Sequence, residues 1–469
     1  MYELRDYQKK AVSAGLSFLN DSKKDGGIIV MPTGSGKSLV IAGIANELSG
    51  NTLVLQPSLE ILESNYSKMI SYVDESEVGI FSASAGVKEI KKITFATVGS
   101  IINCKERFSD FSNLCIDECH LCNAKGGMYE EMIQFFGGRV LGLTATPFRM
   151  HTYADFKTGE KCVVAKFLHR TRPRLFSKII HITQLQELYK DKFLCPISYE
   201  VNYGYNQLQI KLNTTGLDFD QKALKRYNRE KGIINIVKKV IERSEAKHIL
   251  VFTISVEEAV ELDDMLTVIG IRSATVSAKT PKKERAEILE KFKSGEIRVV
   301  TNVSCLTTGY DFPALDCVIM ARPTQSVALF YQMMGRGIRI AEGKEKLKMI
   351  DICGNVPKFG RIEKFEFVEE KEGMHRLKSD TKFLTGYDFF SNEDLEIKNY
   401  KGKRESSWNE ASQIIMFGKH KGTHVSKVPN NYLNWIIEKF DDGQVKKMFQ
   451  AEKLRRKGPE KKTNDELPF

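Results

Sequence analysis

Apolar residues fall along this chain in short runs separated by longer amphipathic stretches. The runs at 28–30, 51–56, 93–96, 114–116 and 140–143 are rich in Ile, Val, Leu and Phe and read as buried strands. Around them, 8–19, 39–48 and 59–70 carry apolar residues at helical spacing. Strand and helix in alternation predict a parallel sheet covered by helices. The pattern resumes further on, with strands expected at 197–201, 249–252 and 299–302 and a helix at 257–266. Between the two sets, 182–193 reads as a helix broken by Leu194-Cys195-Pro196, and 205–232 as a polar linker with its own helix. Residues 361–405 are charged and weakly patterned, as a linker would be; 414–422 and 428–435 then read as a strand, a turn and a helix. The expected fold class is α/β: two tandem parallel-sheet domains over 1–195 and 196–360, a linker over 361–405, a small α+β domain over 406–450, and a tail over 451–469 that is basic, then acidic.

Size agrees with several domains, since 469 residues exceed what one core can organise. Hydrophobic residues make up 42% and charged residues 28%, which is ordinary for a soluble globular chain and argues against a disordered one. No apolar run approaches the length of a membrane span, and Met1-Tyr2-Glu3-Leu4-Arg5 has no charged-then-apolar leader, so a cytoplasmic protein without a membrane partner is expected. The net charge of +11 favours a polyanionic partner, because Lys and Arg that neutralise phosphates release counterions. Nine scattered cysteines, odd in number, point to a reducing compartment and not to a disulfide framework. Cys119 and Cys122, with His120 between them, have the spacing of half a zinc site, but no second pair follows.

Candidate chemistry starts at Met31-Pro32-Thr33-Gly34-Ser35-Gly36-Lys37-Ser38, set between a strand and a helix. Gly34 and Gly36 allow backbone angles that aim successive N–H groups at phosphate oxygens, and the helix start adds its positive dipole. Lys37 would reach the β and γ phosphates of ATP, and the Ser38 hydroxyl would ligate Mg²⁺. About 25 residues earlier, Arg5, Tyr7 and Gln8 are candidates for the base, since an amide can pair with the adenine edge; a plain helix start has the same composition. Asp117-Glu118 closes the strand at 114–116. Asp117 would hold Mg²⁺ through water, and Glu118 would orient or deprotonate the attacking water. Gln332, Arg336 and Arg339 put two planar guanidinium groups three residues apart, suited to phosphate oxygens and to charge on a transferring γ-phosphate.

Several residues suit contact with a nucleic-acid backbone. Pro57, Ser58, Thr97, Ser100 and Ser255 lie at strand ends, where they serve helix capping equally well. Arg170, Arg172 and Arg174 alternate through a basic stretch that is either a phosphate-binding loop or a solvated edge.

Taken in order, Gly-Lys-Ser, Asp-Glu-Cys-His and Thr144-Ala145-Thr146 resemble the first motor domain of the superfamily 2 helicases, the DEAD/DEAH-box-like ATPases, and the second half resembles their partner domain. That resemblance implies two RecA-like domains with ATP between them. It also implies that Thr144 and Thr146 couple hydrolysis to domain movement, that Gly309 and Asp311 lie near the ribose, and that Thr301 and Asn302 lie at the nucleic-acid backbone. Residues 306–313 and 349–356 resemble the RadD branch and its phage and restriction-system relatives; RadD-type proteins can carry a cysteine-rich zinc module after the motor, whereas Cys353 is the last cysteine here. Phe417-Gly418-Lys419-His420-Lys421-Gly422 with Pro429, Tyr432, Leu433 and Trp435 resembles a small domain appended to bacterial and phage exonucleases. In it Lys419 and Lys421 suit phosphate, and the aromatics suit either a core or base stacking. Asp388, Glu396 and Lys398 fit a metal-dependent nuclease skeleton only loosely. The final Asp465-Glu466-Leu467-Pro468-Phe469 resembles the tip with which bacterial single-stranded-DNA-binding proteins dock onto replication and recombination partners. The expectation is an ATP- and Mg²⁺-dependent motor on forked, branched or single-stranded DNA, with a restriction or defence motor subunit, or an RNA helicase, as the alternatives.

Overall fold

The computed structural model describes residues 3–21, 25–154, 161–202, 204–307, 312–380, 382–385, 427–439, 449–450, 452–453 and 456. One compact unit takes in residues 1–154 and 161–401; residues 155–160 and 402–469 belong to a second. In the second unit the helix Asn430–Lys439 buries Leu433, and Arg456 donates to Glu452 at 2.8 Å.

The first sheet of the larger unit contains β1 (Gly26–Val30), β2 (Asn51–Gln56), β3 (Val78–Ser82), β4 (Val87–Lys88), β5 (Ile93–Thr97), β6 (Phe111–Asp117), β7 (Val140–Thr144) and, after a hairpin, β10 (Lys178–Ile182). Their order is β10-β1-β7-β6-β2-β5-β3-β4, parallel except for the terminal β4. Strands buried on both faces have to be apolar throughout, as Ile28-Ile29-Val30 is. Ile29 packs with Ala11, Ile41 and Leu143 on one face, while Ile28 and Val30 pack with Leu53, Leu114 and Ile116 on the other. The second sheet is wholly parallel. It orders β11 (Ile197–Val201), β12 (Ile249–Phe252), β13 (Ser273–Val276), β14 (Val299–Asn302), β15 (Cys317–Met320) and β16 (Leu347–Asp351) as β11-β16-β15-β12-β14-β13. These are the two parallel α/β sheets that the alternation predicted. No helix of the described residues is long and apolar enough to cross a membrane.

Three stretches depart from expectation. Of residues 182–193, expected as a helix, Ile182 ends the edge strand β10 beside β1, and only Leu185–Lys190 is helical. The β-branched residues Ile179, Ile180 and Ile182 favour that pleated edge. The insert after Pro147, which shows little pattern, is the hairpin of β8 (Phe148–Ala154) and β9 (Lys161–Phe167), pinned where Phe148 and Phe167 pair in register with ring centroids 5.7 Å apart. Part of the expected linker is an antiparallel sheet of β17 (Phe365–Lys371), β18 (Met374–Ser379) and β19 (Lys382–Phe383). Its pattern was hidden because Arg376 is a core residue there, with its guanidinium carbon 3.6 Å from the Phe383 ring centroid and its Nε donating to the Thr385 carbonyl.

Gly142 in β7 is set by close approach: a Cβ there would lie 2.7 Å from Cys119 and 2.8 Å from Phe176, both buried. Gly142→Ala is therefore expected to cost about 1–3 kcal/mol by overpacking, read as a lowered Tm of the nucleotide-free protein.

Candidate active site

The loop after β1 hands over directly to the helix Lys37–Glu47, and Gly34 and Gly36 both take φ of +82°, which a side chain would resist. The loop is braced from below. Gln8 is buried; its Nε2 donates to the Ser35 carbonyl at 2.9 Å while its Oε1 accepts from the Arg5 N–H at 2.9 Å, and the Tyr7 hydroxyl donates to the same Ser35 carbonyl at 2.9 Å. Ser35 Oγ in turn donates to the Pro32 carbonyl. The Gln8 amide thus sits under the phosphate loop, with one of its two N–H groups and one lone pair of its oxygen engaged by the chain itself. Arg5 stacks on Phe193, 4.1 Å from the ring centroid.

At the carboxyl end of β6, Asp117 accepts from Asn65 Nδ2 at 2.9 Å and from the Glu118 N–H at 2.9 Å. Glu118 has φ +49° and ψ +47°, a left-handed conformation that costs energy at a non-glycine residue and here directs its carboxylate inward. One oxygen stands 3.9 Å from Lys37 Nζ, the other 3.3 Å from His120 Nδ1. Burial and the neighbouring Glu118 charge push the Asp117 carboxyl above its usual range. Burial alone would raise Glu118 too, but Lys37, His120 and Arg336 outweigh it and hold that carboxyl low.

His120 links the acid pair to the second sheet. Its Nδ1 is 2.9 Å from Thr144 Oγ1, and its Nε2 accepts from Gln332 Nε2 at 3.1 Å, a contact that leaves the proton of the neutral ring on Nδ1. Thr144 Oγ1 also accepts from the Thr146 N–H, and Gln332 lies 3.5 Å from Thr146 Oγ1. Gln332 belongs to the helix Val327–Met334, which ends at Gly335; Arg336 lies in the turn beyond it, and Arg339 follows in an isolated antiparallel bridge with Leu194. Burial lowers both guanidinium groups to about 10, leaving them charged at neutral pH. A Cβ on Gly34 would sit 3.2 Å from Arg339 Cγ, and one on Gly335 would sit 2.5 Å from Thr33. Gly335→Ala is expected to wedge this seam and lower kcat for ATP by about 10²-fold, since a displacement near 1 Å has effects of that size. Nucleotide affinity, measured with a fluorescent ATP analogue, should change less than threefold.

Asn65 and Lys68 carried no sequence signal as site residues. They sit three apart on the helix Leu59–Met69, and Lys68 Nζ lies 3.4 Å from Ser38 Oγ. Burial and the Arg339 charge depress the Lys68 ammonium, against the opposing pull of Asp117. The Ser38 hydroxyl and Asp117 carboxylate are hard oxygen donors that fit Mg²⁺, which keeps water and phosphate oxygens for its remaining positions. No cluster of three or more His, Cys, Asp or Glu fit to hold a metal occurs among the described residues. Cys119 and Cys122 are buried without a third ligand beside them among the described residues, and His120 turns toward the acid pair, so the half zinc site is not completed.

The nucleic-acid candidates fare unevenly. Thr301 and Asn302 are wholly buried: Thr301 Oγ1 donates to the Ala259 carbonyl and Asn302 Nδ2 to the Val251 carbonyl, which takes both side chains away from any surface a backbone could touch. Ser304, two residues on, is exposed with φ +60° and bonded to Arg322. Ser58 caps the helix Leu59–Met69 and Ser255 the helix Val256–Val268, their capping reading. Thr97 and Ser100 hydroxyls lie 2.7 Å apart, Ser100 accepting from Ala83 N–H; Pro57 is half-buried. Arg172 and Arg174 are exposed and Arg170 half-buried. Gly309, Asp311, Asp388, Glu396, Lys398, Lys419, Lys421, the Trp435 side chain and the Asp465–Phe469 tip lie outside the described residues.

Comparison with known proteins agrees with this geometry. Residues 1–149 match the family model "Type III restriction enzyme, res subunit", and residues 232–341 match "Helicase conserved C-terminal domain". A Saccharomyces cerevisiae protein assigned as an ATP-dependent helicase, IRC3, is 25% identical over 390 residues, covering 75% of this chain and 51% of that protein, so the chain spans about half the length of this relative. The DNA 3'-5' translocase XPB2 of Sulfurisphaera tokodaii is 29% identical over 376 residues, 72% of this chain and 79% of its own. A fragment assigned to the HsdR subunit of a type I restriction enzyme from Vibrio vulnificus superposes with a TM-score of 0.56 at 23% identity, over 77% of this chain and 66% of that one, a likeness of fold alone. Two tandem parallel-sheet domains, a phosphate loop and acid pair on the first, paired arginines from the second, and both family matches make the chain similar to the helicases of superfamily 2.

Proposed function

We propose that this chain is a nucleic-acid-stimulated ATPase that moves along DNA and remodels forked or branched DNA in replication, recombination or repair. The observation that carries the reading is that the nucleotide site is built from two bodies: Gln332, Arg336 and Arg339 of the second domain meet the phosphate loop and Glu118 of the first. ATP enters with its phosphates against the loop amides and Lys37. Ser38 and Asp117 would hold Mg²⁺, which would supply neutralisation of charge on the triphosphate. Lys37 is the largest of the charges that keep Glu118 ionised in the nucleotide-free site, the form in which the carboxylate can accept the proton of the attacking water. The guanidinium groups stabilise charge on the transferring γ-phosphate only while the domains are together, and the His120–Gln332 contact reports that state to Thr144 and Thr146. Cycles of closing and opening, with unequal grip on the backbone, then step the protein along the strand.

A second reading, the motor subunit of a restriction or defence system, has support in the match of residues 1–149 to a restriction-enzyme subunit. ATPase rates and strand displacement on matched single-stranded, forked, four-way, linear duplex and RNA substrates test both. Stimulation by forks and junctions above linear duplex supports the remodelling motor. Equal response to any long duplex favours the restriction motor, stimulation by RNA alone an RNA helicase, and no stimulation by any polymer removes the proposal. The +11 charge favours a polyanion, so the DNA response should fall steeply with salt.

A further inference from the structure

The site holds one cation that the hydrolytic scheme leaves without a task. Lys68 reaches in from the helix Leu59–Met69, and its ammonium lies 3.4 Å from Ser38 Oγ, the hydroxyl that would serve as the protein's ligand to the divalent ion. Its other hydrogen bond is to Ser64 Oγ, one turn back, at 3.5 Å. Both contacts are long for a charged donor, and among the described residues Lys68 has no carboxylate within 4.0 Å, so the ammonium is loosely held. Asn65, on the same face of the helix, fixes the Asp117 carboxylate at 2.9 Å. One helix therefore delivers an amide to one metal-side oxygen donor and a positive charge to the other.

We propose that Lys68 is a built-in cation that stands at the divalent-metal position while nucleotide is absent and withdraws when metal arrives with the triphosphate. The inference rests on the assignment of Ser38 and Asp117 to the metal. Charge supports it. Lys37, Lys68, Arg336 and Arg339 against Asp117 and Glu118 leave a surplus of two positive charges, which repels a free divalent cation but attracts a metal–triphosphate complex carrying two negative ones. A lysine is suited to such a part because its point charge rides on a flexible four-carbon stem. Half-buried as Lys68 is, it can move aside along the helix face without disturbing the core. The consequence is ordered loading: the metal enters with the nucleotide and not before it.

The test is a titration of the nucleotide-free, full-length protein with Mn²⁺, the free ion followed by electron paramagnetic resonance. Lys68→Met is expected to bind one Mn²⁺ at least tenfold more tightly than the unmodified protein, while Lys68→Arg, which keeps the charge, stays at the unmodified level. In parallel, a fluorescent ATP analogue with Mg²⁺ should bind the unmodified and Lys68→Met proteins within threefold of each other. Unchanged Mn²⁺ affinity in Lys68→Met overturns the proposal, as does a tenfold loss of nucleotide affinity with no gain in Mn²⁺, which would make Lys68 a phosphate ligand. Failure of the unmodified protein to bind the analogue at all would instead remove the phosphate-loop reading on which the assignment of the metal site stands.

Discussion

Lys37→Ala is expected to abolish nucleic-acid-stimulated ATP hydrolysis, with the rate falling by at least about 10²–10³-fold, the usual result of removing one charged donor aimed at developing negative charge. Lys37 opens the helix after the phosphate loop, which sets its charge on the same turn as the first free amides of that helix. Its side chain is only 11% exposed, and a charge held that far from water acts on a phosphate with little screening. The substitution also takes from Glu118 the largest of the charges that hold its carboxyl low, leaving a buried acid more easily protonated and less able to orient water. Binding of a fluorescent ATP analogue and steady-state ATPase with saturating single-stranded DNA measure the two losses separately. Retained stimulated turnover would mean that the nucleotide binds elsewhere.

What made this site legible in the sequence is that its reactive groups sit at the ends of apolar strands. Lys37 follows β1, Asp117 ends β6 and Thr144 ends β7, and parallel strands gather such ends at one edge. Residues that serve the site from the face of a helix left no such mark: Asn65 and Lys68 look like any polar pair three apart until the helix is seen against the loop. Thr301 and Asn302 failed in the opposite way, since the resemblance implied a place at the nucleic-acid backbone whereas the chain spends both side chains inward on Ala259 and Val251. Gln8 was singled out, but its bond to the loop was not foreseen, because sequence position does not show that an amide also braces the Ser35 carbonyl. The sheet formed by β17, β18 and β19 escaped for a packing reason. Its interior includes a guanidinium over an aromatic ring and the buried imidazole of His375, so a hydrophobicity pattern scores core positions there as surface.

Arg336→Ala should separate binding from turnover. The Arg336 side chain lies beyond the end of the helix Val327–Met334, buried in the seam, with its Nε donating to the Gln332 carbonyl at 3.4 Å and its charge acting on Glu118. The phosphate loop, its brace at Tyr7 and Gln8, and Lys37 all belong to the other domain and keep their contacts without it. Affinity for the ATP analogue is therefore expected to stay within about threefold, while kcat falls by about 10³–10⁵-fold, the range found where a guanidinium completes a phosphoryl-transfer site from across a seam. Lys would not restore it, because an ammonium lacks the planar fork that meets two phosphate oxygens at once. Pre-steady-state measurement places the loss: a variant that binds ATP at the normal rate but shows no burst of phosphate has lost the chemical step. Loss of ATP binding together with turnover would make Arg336 a ground-state phosphate contact, and unchanged turnover would leave closure of the two domains without a part in hydrolysis.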